Sequence, residues 1–145
     1  MNYTRLALAA AAAFIVQSAY GFVVYGMLLI DQFAQYPGVY RPGTDTSHLP
    51  VLFVGLLLGA LAAAYIYAVG YEGKSGVAEG FRFGVALSVF VTGYASLINW
   101  AVLNIGRSIT LAMAVAAFVE FVLVGLVIGL VYKPAPGWSK RAAGV

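Results

Sequence analysis

The chain has 145 residues, of which 63% are hydrophobic and 9% are charged, and its mean hydropathy is +0.93. In soluble domains about a quarter of the residues are charged, so this composition indicates an integral membrane protein with a single domain over residues 1–145. The absence of cysteine excludes disulfides, thiol catalysis and thiolate metal sites. The formal charge is +3, but the basic residues are scattered beside apolar runs, which is typical of membrane topology signals and excludes nucleic acid as a partner.

The first apolar segment follows Arg5 and continues to about residue 30. Its alanine-rich start is also typical of a signal peptide, but the apolar run continues past any plausible cleavage point. A cut after Ala19 would also leave the bulky Gln17 where a small residue is required. We therefore predict an uncleaved transmembrane helix, followed by a polar loop at 31–50 that contains Pro and Gly and lies outside the cytoplasm.

Three further apolar segments are long enough to cross a hydrocarbon core of about 30 Å. The predicted helices span residues 6–30, 51–70, 81–103 and 109–132, and a basic tail follows at 133–145. The predicted fold class is therefore an all-α integral membrane protein, with four transmembrane helices in an antiparallel bundle.

Small residues spaced four apart let two helices approach closely in a membrane, and three of the predicted helices contain them. The second helix has Gly55 and Gly59, and the fourth has Gly125 and Gly129. The third carries a small and polar stripe: Gly84, Ser88, Thr92 and Ser96, continued by Asn99. We expect these faces to turn toward other helices.

Glu120 lies at the midpoint of the fourth apolar segment. A charged side chain at that depth costs about 2.5–3.5 kcal/mol on insertion scales, so Glu120 should face protein or water. When each residue is assigned a depth in the membrane from its position along its helix, five further polar residues lie near the level of Glu120, at or close to the midplane. They are Gln17, Tyr20, Thr92, Ser96 and Asn99. Because no Lys or Arg lies at that depth, we expect a neutral acid that donates to Gln17, Thr92 or a backbone carbonyl. This group is a hydrogen-bonded link between helices, a proton, ion or ligand site, or a contact with a polar group of another protein.

Basic residues predict the orientation of the chain. With four crossings, both termini and the second loop share one side, which carries Arg5, Lys74, Arg82, Lys133, Lys140 and Arg141. The other side carries Arg41 and Arg107. The positive-inside rule therefore predicts cytoplasmic termini in the inner (plasma) membrane.

No catalytic pattern is present: the sequence lacks paired carboxylates at depth and has neither an HExxH nor a GxSxG motif. We expect no enzyme activity, no metal and no cofactor, while a bound lipid or a small apolar ligand is compatible with the composition. The layout resembles that of small multidrug-resistance exporters, which work as dimers around one membrane glutamate. Their glutamate lies in the first helix, where this chain has Gln17. The whole chain also resembles small four-helix proteins of bacterial inner membranes.

These observations favour an accessory or structural subunit, or an oligomeric scaffold, that acts through its small-residue helix faces. The alternative is a small proton- or cation-coupled transporter or channel that works as an oligomer and uses Glu120. In both cases the expected partners are the lipid bilayer and either further copies of the chain or a larger membrane complex.

Overall fold

The computed structural model describes residues 1–73 and 75–134, and all regular secondary structure within these ranges is helical. Four helical spans are long and apolar enough to cross a membrane: Tyr3–Leu28, Leu49–Val69, Gly76–Val102 and Arg107–Val131. The prediction of an all-helical, multi-pass membrane protein is therefore confirmed. Lys74 and residues 135–145, which include most of the predicted tail, lie outside the described residues.

Two of the four spans change helix type before they end. The helices are α1 (Tyr3–Val23), α2 (Ile30–Ala34), α3 (Leu49–Val69), α4 (Gly76–Val91), α5 (Ile98–Val102) and α6 (Arg107–Val131). π-helical turns at Val24–Leu28 extend α1, and others at Thr92–Leu97 join α4 to α5. Because a π-helical turn holds more residues than an α-helical turn, it shifts the angular positions of the residues that follow.

The third span begins at Gly76, five residues before the predicted start at residue 81. The sequence predicts Glu79 in the first turn of this helix, where the positive end of the helix dipole favours a carboxylate. The structure places Glu79 in the first turn of α4, where its carboxylate accepts a hydrogen bond from the backbone N–H of Glu72. A buried carboxylate can thus lie inside the helix because the preceding loop folds back and supplies a donor.

Glycine residues bring α4 and α6 into direct backbone contact. A Cβ atom on Gly80 would lie 2.5 Å from the carbonyl oxygen of Gly125, and one on Gly84 would lie 2.9 Å from the α6 backbone. Gly76 faces Gly129 in the same way, one turn further along. Each step of four residues forward along α4 matches a step of four residues backward along α6, so the two helices are antiparallel. A residue larger than glycine at any of these contact positions would push the two helices apart.

A second packing region joins α1, α3 and α6. Its buried members are mostly alanines, together with two branched residues and two tyrosines: Ala9, Ala10, Ala13, Ala60, Ala63, Ala64, Tyr67, Val124, Ile128 and Tyr132. The small side chains bring the helices close together, which supplies the van der Waals contact that holds helices together in lipid. Helix α6 therefore packs against α4 on one side and against α1 and α3 on the other.

Candidate functional site

Glu120 lies in the middle of α6, and its side chain is only 6% exposed. The hydroxyl of Tyr25 donates a hydrogen bond of 3.0 Å to Oε2 of Glu120. Gln17, on α1, also lies against the carboxylate and is 4% exposed. The structure therefore brings together Glu120 and Gln17, which the sequence singled out, and adds Tyr25, which it did not.

The Tyr25–Glu120 contact depends on the direction in which helical side chains lean. Tyr25 is eight residues beyond Gln17, or about 12 Å along a helix, so its backbone lies well away from the level of Gln17. Side chains lean toward the N-terminus of their own helix. Since α1 and α6 run in opposite directions, Tyr25 and Glu120 lean toward each other, and the long phenol closes the remaining distance.

Tyr20 makes a second link between the same two spans. Its hydroxyl donates a hydrogen bond of 2.9 Å to the backbone carbonyl of Ala116, one helical turn before Glu120. The rings of Tyr20 and Tyr25 meet edge to face with their centroids 6.4 Å apart. Two tyrosine hydroxyls of the first span thus bond to successive turns of α6.

Thr92 is not brought to Glu120. Ser88 Oγ lies 2.8 Å from the carbonyl oxygen of Phe118, and antiparallel packing places residues beyond Ser88 opposite earlier residues of α6. Thr92 therefore lies opposite about residue 114, roughly 9 Å along the axis from Glu120. Its hydroxyl is buried without a hydrogen-bond partner among the described residues, so the predicted bond to Glu120 is not formed.

The outer members of the predicted polar group have different surroundings. Ser96 is buried in the π-helical turns, whereas Asn99 is exposed in α5. Within the described chain, the Oε1 atom of Gln17 and the hydroxyl of Ser18 are also buried without hydrogen-bond partners. Polar groups of this kind usually bind water or a ligand, so the α1 side of the site has unused hydrogen-bonding capacity.

The residues predicted to pack helices together fall into two groups. Gly84, Gly125 and Gly129 lie in the α4–α6 contact, where the Ser88 hydroxyl shares its proton between the carbonyl of Phe118 and that of Gly84, 2.7 Å away. Gly55 and Gly59 are instead exposed, and a Cβ atom added to either would have no atom of another described part of the chain within 4 Å. These two glycines therefore do not pack against another helix within the described part of their own chain. Their role in helix packing stays a prediction, and it would need a helix of a second chain.

The loop between α2 and α3 covers the N-terminal end of α6. The hydroxyl of Tyr36 accepts a hydrogen bond of 3.1 Å from the backbone N–H of Gly106, and the hydroxyl of Tyr40 lies 3.4 Å from Sδ of Met113. Burial, with a smaller effect from Tyr36, raises the pKa of the Tyr40 phenol above its ordinary value. These contacts with α6 were not predicted from the sequence of the loop.

Residues 1–73 and 75–134 contain no group of three or more His, Asp or Glu side chains that could hold a metal ion. Comparisons with protein-family models, curated proteins and solved structures find no match. Function is therefore inferred from the burial, contacts and charges of the residues described above.

Proposed function

We propose that the chain is a structural or accessory membrane subunit that assembles as a homo-oligomeric scaffold. Its four spans form an antiparallel bundle in the inner membrane, with both termini in the cytoplasm. The chain supplies no reaction chemistry of its own, and its role is to present a stable helical surface in the bilayer.

The observation that carries this proposal is the way Glu120 is held. A carboxyl group that is 6% exposed and hydrogen-bonded by Tyr25 has a protein partner in place of water. Together with the bond from Tyr20 to Ala116, it fixes the first span against α6. Such bonds in lipid are each worth about 0.6 kcal/mol on average, and up to about 2 kcal/mol, which suits a structural link.

The face of α3 that carries Gly55 and Gly59 is the proposed contact with a second copy. These glycines meet no other described part of their own chain, although their four-residue spacing suits close helix approach. The buried face of the same helix is already occupied by Ala60 and Ala64 in the contact with α1 and α6. The outward face is thus available for assembly without any rearrangement of the single-chain fold.

A proton- or cation-coupled transporter is the second candidate. The observation that favours it is unused hydrogen-bonding capacity on α1: Gln17 Oε1, on a side chain that lies against Glu120, and Ser18 Oγ, on the next residue, have no partner among the residues described. Water bound to these atoms would connect the carboxylate to a proton path. Under this alternative, Glu120 would change its charge during transport.

Reconstitution into sealed vesicles that contain a pH-sensitive dye separates the two candidates. We expect vesicles with the wild-type protein and vesicles with Glu120→Gln to acidify at the same slow rate under an imposed proton gradient. The matched control is Asp31→Asn, which removes an exposed carboxylate in the first turn of α2, beyond the end of the first span. Proton flux that Glu120→Gln abolishes and Asp31→Asn preserves would refute the scaffold proposal.

A further inference from the structure

A pocket lies between the end of α3 and the start of α4, and its volume is about 210 Å³. Two of its lining residues belong to α3 and four belong to α4: Ile66, Tyr67, Glu79, Arg82, Phe83 and Ala86. None of these residues belongs to the polar group around Glu120. The pocket is therefore separate from the site described above.

The pocket is open because α3 and α4 both pack on α6 and make few contacts with each other. Glycines hold the backbone of α4 against α6, and alanines hold α3 against α1 and α6. The space between α3 and α4 is left unfilled near Ile66 and Ala86, which are both exposed. In a membrane such exposed apolar side chains face lipid tails.

Tyr67 supplies an unpaired polar group to this lining. Its side chain is only 3% exposed, and its hydroxyl has no hydrogen-bond partner among the described residues. A buried hydroxyl that makes no hydrogen bond is costly, so its presence is explained if a ligand provides the missing partner. Because a phenol O–H is a donor, a ligand with an acceptor oxygen can satisfy it.

The charged residues of the described lining balance each other. Glu79 brings one negative charge and Arg82 brings one positive charge. Both are already held by the protein, since the backbone N–H of Glu72 donates to Glu79 and the Glu72 carboxylate pairs with Arg82 at 2.7 Å. A charged ligand would lose its hydration here without a matching gain, so this lining favours an uncharged ligand.

The volume and the aromatic wall of the pocket suit a single substituted ring. An apolar cavity of about 150 Å³ is large enough to bind benzene, so the present volume accepts a ring with small substituents. The rings of Tyr67 and Phe83 meet edge to face at 72°, with their centroids 5.4 Å apart. Rings in this arrangement leave faces and edges against which a third ring can pack.

The pocket also reaches the depth of lipid tails. Ala86 lies about 15 Å along α4 from the helix start at Gly76. Because Ala86 and Ile66 are exposed, a hydrocarbon tail attached to the bound ring can run along them into the lipid. The pocket thus fits an uncharged lipid that has a ring, an acceptor oxygen and a tail.

We propose that this pocket binds the head of a lipid-soluble benzoquinone. The Tyr67 hydroxyl donates to one carbonyl oxygen of the quinone, and the quinone ring packs against Phe83. The tail runs along Ile66 and Ala86 into the bilayer. The proposal concerns binding alone, and it is independent of whether the chain is a scaffold or a transporter.

The Tyr67 hydroxyl decides which ligands are preferred. An alkylbenzene with the same tail keeps the ring but has no acceptor, so it leaves this hydroxyl unpaired. A diacylglycerol has carbonyl oxygens but no ring to pack against the aromatic wall. A quinone without a tail loses the apolar contact with α3 and α4. The expected order of affinity therefore places the tailed quinone above all three.

The test is isothermal titration of the full-length protein in detergent micelles, with each heat corrected by a titration of micelles alone. We expect one tailed benzoquinone per chain, bound at least about fivefold more tightly than the matching alkylbenzene, which is the effect of roughly one hydrogen bond. Equal affinity for these two ligands would overturn the proposal. Binding of diacylglycerol or of the tail-less quinone as tight as that of the tailed quinone would overturn it too.

Two tyrosine variants locate the bound quinone. Tyr67→Phe keeps the ring and removes only the unpaired hydroxyl, so it should fold at least as well as the wild type. It should reduce the preference for quinone over alkylbenzene to less than about twofold. Tyr65→Phe is the matched control, because Tyr65 is exposed on the same helix and lies outside the pocket. A wild-type preference in Tyr67→Phe would mean that the proposed site is wrong.

A second pair of variants tests the pocket itself. Ala86→Phe fills the space beside the aromatic wall, so it should weaken quinone binding at least about tenfold. Val89→Phe adds a similar ring at an exposed position of α4 outside the lining and should bind quinone like the wild type. If Ala86→Phe binds quinone as tightly as Val89→Phe, the quinone lies elsewhere and the proposal fails.

Discussion

The Tyr25 hydroxyl donates to Oε2 of Glu120 over 3.0 Å, although the two residues are 95 positions apart in the chain. The bond crosses from the first span to the last. Both side chains lean toward the start of their own helices, and the opposite directions of the helices turn these leanings toward each other. The Glu120 carboxyl group, which is costly to bury in the middle of a membrane, thereby lies against a hydrogen-bond donor of the same chain.

Removing the Tyr25 hydroxyl should loosen the first span. We expect Tyr25→Phe to lower the free energy of unfolding by about 0.5–1.5 kcal/mol, because it removes one hydrogen bond and leaves the ring in place. Unfolding in mixed detergent micelles, followed by circular dichroism, measures this change. Tyr94→Phe is the control, since Tyr94 is exposed, and the two variants should differ clearly. An equal loss in both would mean that the bond to Glu120 contributes nothing.

The glycines of α4 and of α3 should respond differently to a larger side chain. Gly80→Leu forces apart two backbones in contact and should cost at least about 1–3 kcal/mol of single-chain stability. A Cβ atom at position 59 has no atom of another described part of the chain within 4 Å, so Gly59→Leu should leave single-chain stability unchanged while assembly is lost. Cross-linking in membranes reports assembly, and Leu57→Ala serves as a mild control. Wild-type assembly of Gly59→Leu would remove α3 as the contact between copies.

The topology can be tested by labelling two single cysteines. Thr44→Cys and Ser75→Cys lie in different loops, and four crossings place these loops on opposite sides of the membrane. A membrane-impermeant thiol reagent should therefore label Ser75→Cys in inside-out vesicles and Thr44→Cys in right-side-out vesicles. Labelling of both positions in the same vesicle preparation would contradict four crossings.

Asp45 predicts a pH response in the α2–α3 loop. The Ser47 hydroxyl and backbone N–H bond to Asp45 Oδ1 at 2.6 and 3.0 Å, and Arg41 pairs with Oδ2 at 2.9 Å. These partners hold the pKa of Asp45 well below its usual range. Because the pKa is lower in the folded loop, the stabilisation is present above the unfolded value, near about 4, and is lost as the pH falls through the folded value.

Hydrogen exchange at the Ser47 amide measures this response, after correction for the intrinsic pH dependence of exchange. We expect protection at neutral pH that declines in strong acid. Asp45→Asn should show weaker protection that does not change over the same range, while Asp31→Asn should behave like the wild type. If protection in Asp45→Asn matches that of the wild type at neutral pH, the carboxylate does not order the loop.

The four spans could be predicted from the sequence because each apolar run, as a helix, is long enough to cross the hydrocarbon core of a bilayer. The boundaries were less accurate, because the third helix was predicted to begin at residue 81 whereas α4 begins at Gly76. Gly76 and Gly80 continue the four-residue spacing of Gly84 and Ser88, and this signal could have placed the start of α4 correctly. The four-residue periodicity therefore carried more information about that boundary than the start of the apolar run.

The site was only partly predictable for a different reason. Assigning depth from position along each helix assumes that the helices align at their midpoints. The actual register is set by the packing of Gly80 on Gly125, and in this register Thr92 does not lie beside Glu120. Tyr25 was missed because its backbone lies far from the level of Glu120. Register and side-chain direction depend on contacts between helices, which no single apolar segment encodes.

Under the scaffold proposal, Glu120 is a fixed hydrogen-bonded link and does not cycle between charge states. Infrared difference spectroscopy of the protein in membranes tests it most directly, with Glu120→Gln identifying the Glu120 carboxyl band. We expect this band to keep its position and intensity between about pH 5 and about pH 9, across the range where proton-coupled groups titrate. We also expect Glu120→Gln to be as stable as the wild type. A Glu120 band that disappears and returns reversibly within that range would mean that Glu120 changes its charge, and it would refute the scaffold proposal.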